Sequence, residues 1–146
     1  MRITTGLYVK NSAEAVALYC EAFGLTLGYH VLNPDGSYFH SELYRGDQEL
    51  LSVVEAADPP LGNHTVQVGV ILDGEAEVRR AFSLLRPGGT VETPLGPLPW
   101  SPCAAVVLDR FGVWWYISAP QHYPPKDYDP AAPWTPDMYK KPEEQA

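Results

Sequence analysis

Apolar and polar residues alternate along this chain with two different periods, and the periods follow one another in a repeating order. Ile3, Thr5, Leu7 and Val9 fall on every second position and share one face of a predicted strand. The next stretch, NSAEAVALYCEAFG, changes to helical spacing: Ala15, Leu18, Tyr19, Ala22 and Phe23 form a stripe. Asn11 and Glu14 stand at capping-box separation, and Gly24 supplies the stop. Strands are predicted at 26–32, 37–44 and 48–54, with NPDG and RGDQ as the reversals between them. Turn chemistry accounts for the Arg45-Gly46-Asp47 triplet without an adhesive role.

The order then repeats. TVQVGVI predicts a strand, and Asp73 is placed to cap a helix whose stripe is Val78, Ala81, Phe82 and Leu85, ended by RPGG at 86–89. TVE, CAAVVL at 103–108 and, after a DRFG turn, the aromatic run VWWYIS complete the second pass. Laid over each other, the passes pair Val9 with Ile71, Asn11 with Asp73 and, two residues further displaced, Ser52 with Tyr116. The fold class that follows is α+β: tandem βαβββ modules at about 1–56 and 64–119, forming a curved, half-barrel mixed sheet. Each sheet covers one face with its helix and turns the other toward a shared hollow. In the last strand Val113, Trp115 and Ile117 are expected against the helix, and Trp114, Tyr116 and Ser118 toward the hollow.

Alternation yields an inward set of Tyr8, Leu50, Ser52, Val66, Val68, Trp100, Trp114 and Tyr116, with Glu42 and His64 as its polar points. Gln67 replaces Val66 and Val68 if the fifth strand is shifted by one residue. Such a lining suits a flat ligand held by stacking and oriented by a few hydrogen bonds. Glu42 beside His40 is the candidate acid–base pair, because an aromatic-walled cavity would raise the proton affinity of a carboxylate toward neutrality. His40, Glu42 and His64 point broadly inward and form a candidate displaced metal site; His30 is assigned to the surface. No nucleophile elbow, Cys-His arrangement or phosphate loop is present.

Composition narrows the partners. The chain has 18 acidic against 10 basic residues, a net charge of −8, which disfavours nucleic acid and favours a cationic ligand. No apolar run reaches the ~20 residues of a membrane span, and the first residues lack a secretory core, so a cytoplasmic protein is expected. Cys20 and Cys103 form no framework; Cys20 is expected as a small buried residue and Cys103 as a possible pocket wall. Residues 120–146 hold seven of the 15 prolines, which excludes a long helix, and also Tyr123, Tyr128, Trp134, Met138 and Tyr139. This segment is expected to wrap over the body or a partner subunit and to close one mouth of the hollow, with only KKPEEQA free.

The succession YVKNSAEAVALYCEAFG, FHSELYRGDQELLS, RPGGTVETPLGPLPW and VVLDRFGVWWYIS resembles the vicinal oxygen chelate superfamily, the glyoxalase and bleomycin-resistance fold, and within it the PhnB-like branch. The resemblance covers roughly residues 3–119. It implies paired βαβββ modules, a homodimer and, in many members, a divalent metal held by one His, Gln or Glu from the first and last strands of each module. Carried onto this chain, those positions fall on Thr4, Ser52, Val66 and Tyr116, none of them a carboxylate or imidazole, so the inherited metal site is expected to be lost. Members of this branch have carried a methyltransferase label, yet no strand here runs into a glycine-rich loop suited to S-adenosylmethionine.

Two functions follow as expectations. The first is a small-molecule-binding protein with no cofactor, whose metal-free, aromatic-lined pocket (Tyr8, Ser52, His64, Gln67, Trp100, Trp114, Tyr116) takes a hydrophobic or cationic compound. The second is a metal-dependent lyase, isomerase or dioxygenase-like enzyme with its metal displaced to His40, Glu42 and His64. A scaffold with a filled hollow is a third, weaker reading.

Overall fold

The computed structural model describes residues 1–59, 61, 64–98 and 100–120. In chain order the elements are β1 (Thr5–Val9), α1 (Ser12–Phe23), β2 (Thr26–Leu32), β3 (Tyr38–Arg45), β4 (Gln48–Glu55), β5 (Val68–Ile71), α2 (Glu75–Leu85), β6 (Thr90–Leu98), β7 (Ser101–Leu108) and β8 (Trp114–Ser118). They form two four-stranded sheets of matching order, β1-β4-β3-β2 and β5-β8-β7-β6. In each sheet the first strand lies parallel to the last, and the remaining pairings are antiparallel. The α+β class and the duplicated βαβββ order are therefore as the alternation predicts. Among the described residues no helix is long and apolar enough to cross a membrane.

The helices bury the stripes that their spacing sets out. Ala15, Val16, Leu18, Tyr19, Ala22 and Phe23 of α1 are buried, as are Val78, Ala81 and Leu85 of α2. Alternate strand residues meet them: Leu7, Val9, Leu43, Leu51 and Val53 in the first sheet, Ala105, Val107, Trp115 and Ile117 in the second. The core is shared between the modules, because Trp115 of β8 packs 5.1 Å from the Tyr19 ring and 4.9 Å from Phe23, both on α1. Cys103 is fully buried within this core, so it does not wall the hollow; Cys20 is half-buried against it. Burial pushes both thiols up.

Three local expectations give way to longer-range contacts. Asn11 is left-handed (φ 63) with no side-chain cap, and the N-terminus of α1 is capped instead by Glu55 at the end of β4. Gly74, not Asp73, is the N-cap of α2, and Asp73 pairs with Arg45 at 2.8 Å, tying the β3–β4 turn to the second module. The strand expected only at TVE runs on to Leu98 through Pro94 and Pro97. It can do so because β6 is an edge strand, where a missing N–H costs no ladder bond.

Candidate functional site

The faces turned away from the helices carry the chemistry. On β1, β4 and β3 the register sets Gly6 beside Ser52 and Ser52 beside Glu42. A Cβ on Gly6 would stand 3.3 Å from the Ser52 hydroxyl, so the glycine keeps this part of the surface low. On the second sheet Gly69 lies beside Tyr116 and Tyr116 beside Val106. Among the described residues, β1 and β5, at the edges of the two sheets, contribute to the linings of two openings. One, of about 550 Å³, is lined by Gly6, Tyr8, Asp58, His64, Val66 and Trp114 among others. The other, of about 290 Å³, lies between Leu50 and Leu51 on one side and Val68 to Leu72 on the other.

Two residues that line the larger opening, His64 and Trp114, hold a carboxylate between them. The Trp114 indole N–H donates to Glu92 Oε2 at 2.8 Å, while His64 Nε2 pairs with the other oxygen. The His64 ring stands edge-on to Trp114, with centroids 4.7 Å apart and planes at 69°. Elsewhere on the second module the Trp100 N–H donates to the Tyr116 hydroxyl at 2.9 Å. Tyr8 keeps 65% of its surface exposed on the opposite wall, which is unusual for so large a side chain and leaves its ring available for stacking.

The first module carries a second carboxylate cluster. The Tyr44 hydroxyl donates to Glu42 Oε2, and His40 Nε2 lies 3.1 Å from Oε1. The Tyr29 ring is 6.0 Å from that of His40. The hydrogen bond from Tyr44, then that from His40, hold the Glu42 carboxyl below its ordinary value, and the same bond raises Tyr44. The expected rise of Glu42 toward neutrality is thus reversed: two donors favour the ionised form more than burial opposes it. An ionised acceptor with both oxygens engaged is poorly placed to carry a proton at neutral pH.

Of the residues singled out by sequence, Tyr8, Ser52, Trp114 and Tyr116 lie on the helix-free face, and His64, Tyr8 and Trp114 line one opening. His40 and Glu42 meet each other but not His64, which pairs with Glu92, so the trio expected for a displaced metal is divided between two clusters. Among the described residues no three His, Cys, Asp or Glu side chains come together. Val68 is the partner of the buried Trp115 and packs partly against the core, while it also lines the larger opening with Val66 and Trp114; Gln67 precedes β5 and is not in that lining.

That register also moves the correspondence between the modules. Gly6 beside Ser52 matches Gly69 beside Tyr116, so Thr4 corresponds to Gln67 rather than Val66. The four inherited positions then hold Thr4, Ser52, Gln67 and Tyr116, all neutral. A hard divalent cation requires several anionic oxygens or imidazoles, and this set does not fit one. Glu92, Tyr44 and Tyr29 were missed. Glu92 reaches Trp114 across a register shift between Val91 and Thr93, which no alternation rule anticipates.

Paired βαβββ modules define the class, and the chain belongs to the Glyoxalase/Bleomycin resistance protein/Dioxygenase superfamily, whose model matches residues 3–117. It is similar to protein PA1353 from Pseudomonas aeruginosa, at 28% identity and a TM-score of 0.70 over 84% of this chain and 99% of that one. The PhnB protein from Bacillus cereus, at 21% identity and a TM-score of 0.64, covers 82% of this chain and 99% of its own. The bleomycin resistance determinant of transposon Tn5 shares the fold at 15% identity and a TM-score of 0.57, over 82% of this chain and 98% of that one. No curated protein matches the sequence.

Proposed function

We propose that this protein binds a small, flat, cationic or hydrophobic compound, without a metal, in the space between Tyr8 and Trp114. The observation that carries this reading is the Glu92 carboxylate, which engages the Trp114 N–H and His64, two residues that line an opening of about 550 Å³. That volume suits a drug-sized ligand. A cation stacked on Trp114 or Tyr8 gains from the ring faces and from the adjacent carboxylate together. The net charge of −8 raises its local concentration. The bleomycin resistance determinant supports a binding role by analogy of fold alone. An enzyme working through His40, Glu42 and His64 is the weaker reading, because those three side chains do not converge. The setting we infer is the cytoplasm, in keeping with two unpaired cysteines, and the assembly a homodimer, to be checked by light scattering.

The test is tryptophan fluorescence and calorimetry with three planar probes of one size: an N-methylacridinium cation, neutral acridine and an acridine carboxylate. The cation should bind with a tenfold or greater preference over the carboxylate, and Glu92→Gln should erase that preference. Equal binding of the three probes, or none, would overturn the proposal.

A further inference from the structure

β2 and β6 hold corresponding places at the ends of the two sheets, and among the described residues each is hydrogen-bonded to one neighbouring strand. An end strand leaves a row of backbone donors and acceptors unpaired, and proteins that stay apart blunt such a row with proline or charge. β6 is blunted in this way: it carries Glu92, Pro94 and Pro97, and Val91 is its one exposed large apolar residue. β2, TLGYHVL, holds no Pro, Lys, Arg, Asp or Glu. Both strands pair irregularly with their neighbours, so bulging does not distinguish them.

What β2 exposes is apolar. Tyr29 is 65% and Leu32 55% exposed, Leu27 and Val31 are exposed as well, and Phe39 of the adjoining β3 is 65% exposed. Tyr29 and Val31 both lie beside His40, the first by ring contact and the second by strand register. At ~150–250 Å² for an aromatic side chain and about half that for an aliphatic one, this strip offers on the order of 400 Å² of apolar surface. A stable interface of standard size takes about 800 Å² from each partner, a little over half of it apolar, so roughly 450 Å². The strip is of the size that one such interface needs.

Charge selects the partner. A net charge of −8 repels a second copy from much of the surface, whereas β2 brings no carboxylate of its own against that copy. Two identical strand edges related by a two-fold axis complement each other without any further surface. We propose that β2, with Phe39, is the surface through which two copies of this chain associate, antiparallel about a two-fold axis. This location rests on the homodimer reading above, and the experiment separates the two.

The experiment is light scattering, at one concentration, on the full-length protein and on two charged variants, Tyr29→Lys/Val31→Lys and Tyr29→Glu/Val31→Glu, with thermal unfolding to show that each variant is folded. The unmodified protein should have the dimer mass and each variant alone the monomer mass. An equal mixture of the two variants should regain the dimer mass, because opposite charges then meet across the axis. Variants that stay dimeric would overturn the location and leave the homodimer reading standing, whereas a monomeric unmodified protein would overturn both. A mixture that stays monomeric would overturn the pairing of β2 with β2. Should the charged variants not fold, Tyr29→Ser/Val31→Thr takes their place and should raise the dimer dissociation constant about tenfold or more. An unchanged constant would overturn the proposal.

Discussion

The Tyr19 hydroxyl donates to Asp109 Oδ2 at 2.7 Å, joining the helix of the first module to the turn before β8 of the second. Asp109 is 3% exposed yet fully satisfied: Trp115 Nε1 donates to the same oxygen at 2.8 Å, and the N–H groups of Phe111 and Val113 donate to the other. A buried carboxylate with four donors is stable in place, and removing any one donor exposes its desolvation cost.

Tyr19→Phe is therefore expected to cost about 1–3 kcal/mol in urea unfolding, as for the loss of a buried bond to a charged group. Burial, then the Asp109 charge, raises the Tyr19 hydroxyl well above 10.0. A group raised in the folded state stabilises below its unfolded value and loses that contribution as the pH climbs. Stability should fall with alkali above about pH 10, and that fall should be shallower in Tyr19→Phe. Equal stability of the two proteins at pH 7 would contradict the assignment.

Glu55 caps α1 from 43 residues away, accepting from the Ser12 N–H at 2.6 Å and from the Asn11 N–H at 3.0 Å. Burial pushes its carboxyl up, but these bonds outweigh burial and leave it below the ordinary value. A lowered carboxylate stabilises above its unfolded value and loses that contribution as the pH falls through the folded one. Glu55→Gln should cost about 1 kcal/mol at pH 7 and almost nothing once the acid form dominates, well below pH 4. Thermal unfolding at both pH values checks this.

Gly28 is what lets Tyr44 reach Glu42, since a Cβ there would lie 2.5 Å from the Tyr44 ring. Gly28→Ala should displace the ring, break the Tyr44–Glu42 bond and let the Glu42 carboxyl titrate closer to 4.5, its ordinary value. Carbon-detected NMR titration of Glu42 reads the change, and Tyr44→Phe should reproduce it. An unchanged titration in both variants would show that Tyr44 does not hold the carboxylate.

Manganese or zinc at micromolar excess is expected to leave the melting temperature unchanged, because Thr4, Ser52, Gln67 and Tyr116 provide only neutral donors. A stoichiometric metal-dependent rise abolished by His64→Ala would contradict this and favour the enzyme.

Much of this protein could be read one residue at a time. A period of two separates Trp115, which is buried, from Trp114 and Tyr116, which are half-exposed, and a helical period names the buried stripe of α1. Both follow from local geometry, in which side-chain direction repeats with the backbone. The duplication was visible for the same reason, since each pass repeats those periods in the same order.

What local periodicity does not encode is where one element stands against another. Which way Val68 packs depended on pairing with Trp115, a partner 47 residues on. Glu55 displaced the local capping box because its carboxylate reaches two backbone donors of α1 from the end of β4. Glu92 meets Trp114 only through a shift in strand register. Sequence alone determined the modules and the core stripes. Tertiary structure decided which partners the carboxylates meet, because those contacts join residues brought together only when the sheets pair and the modules pack.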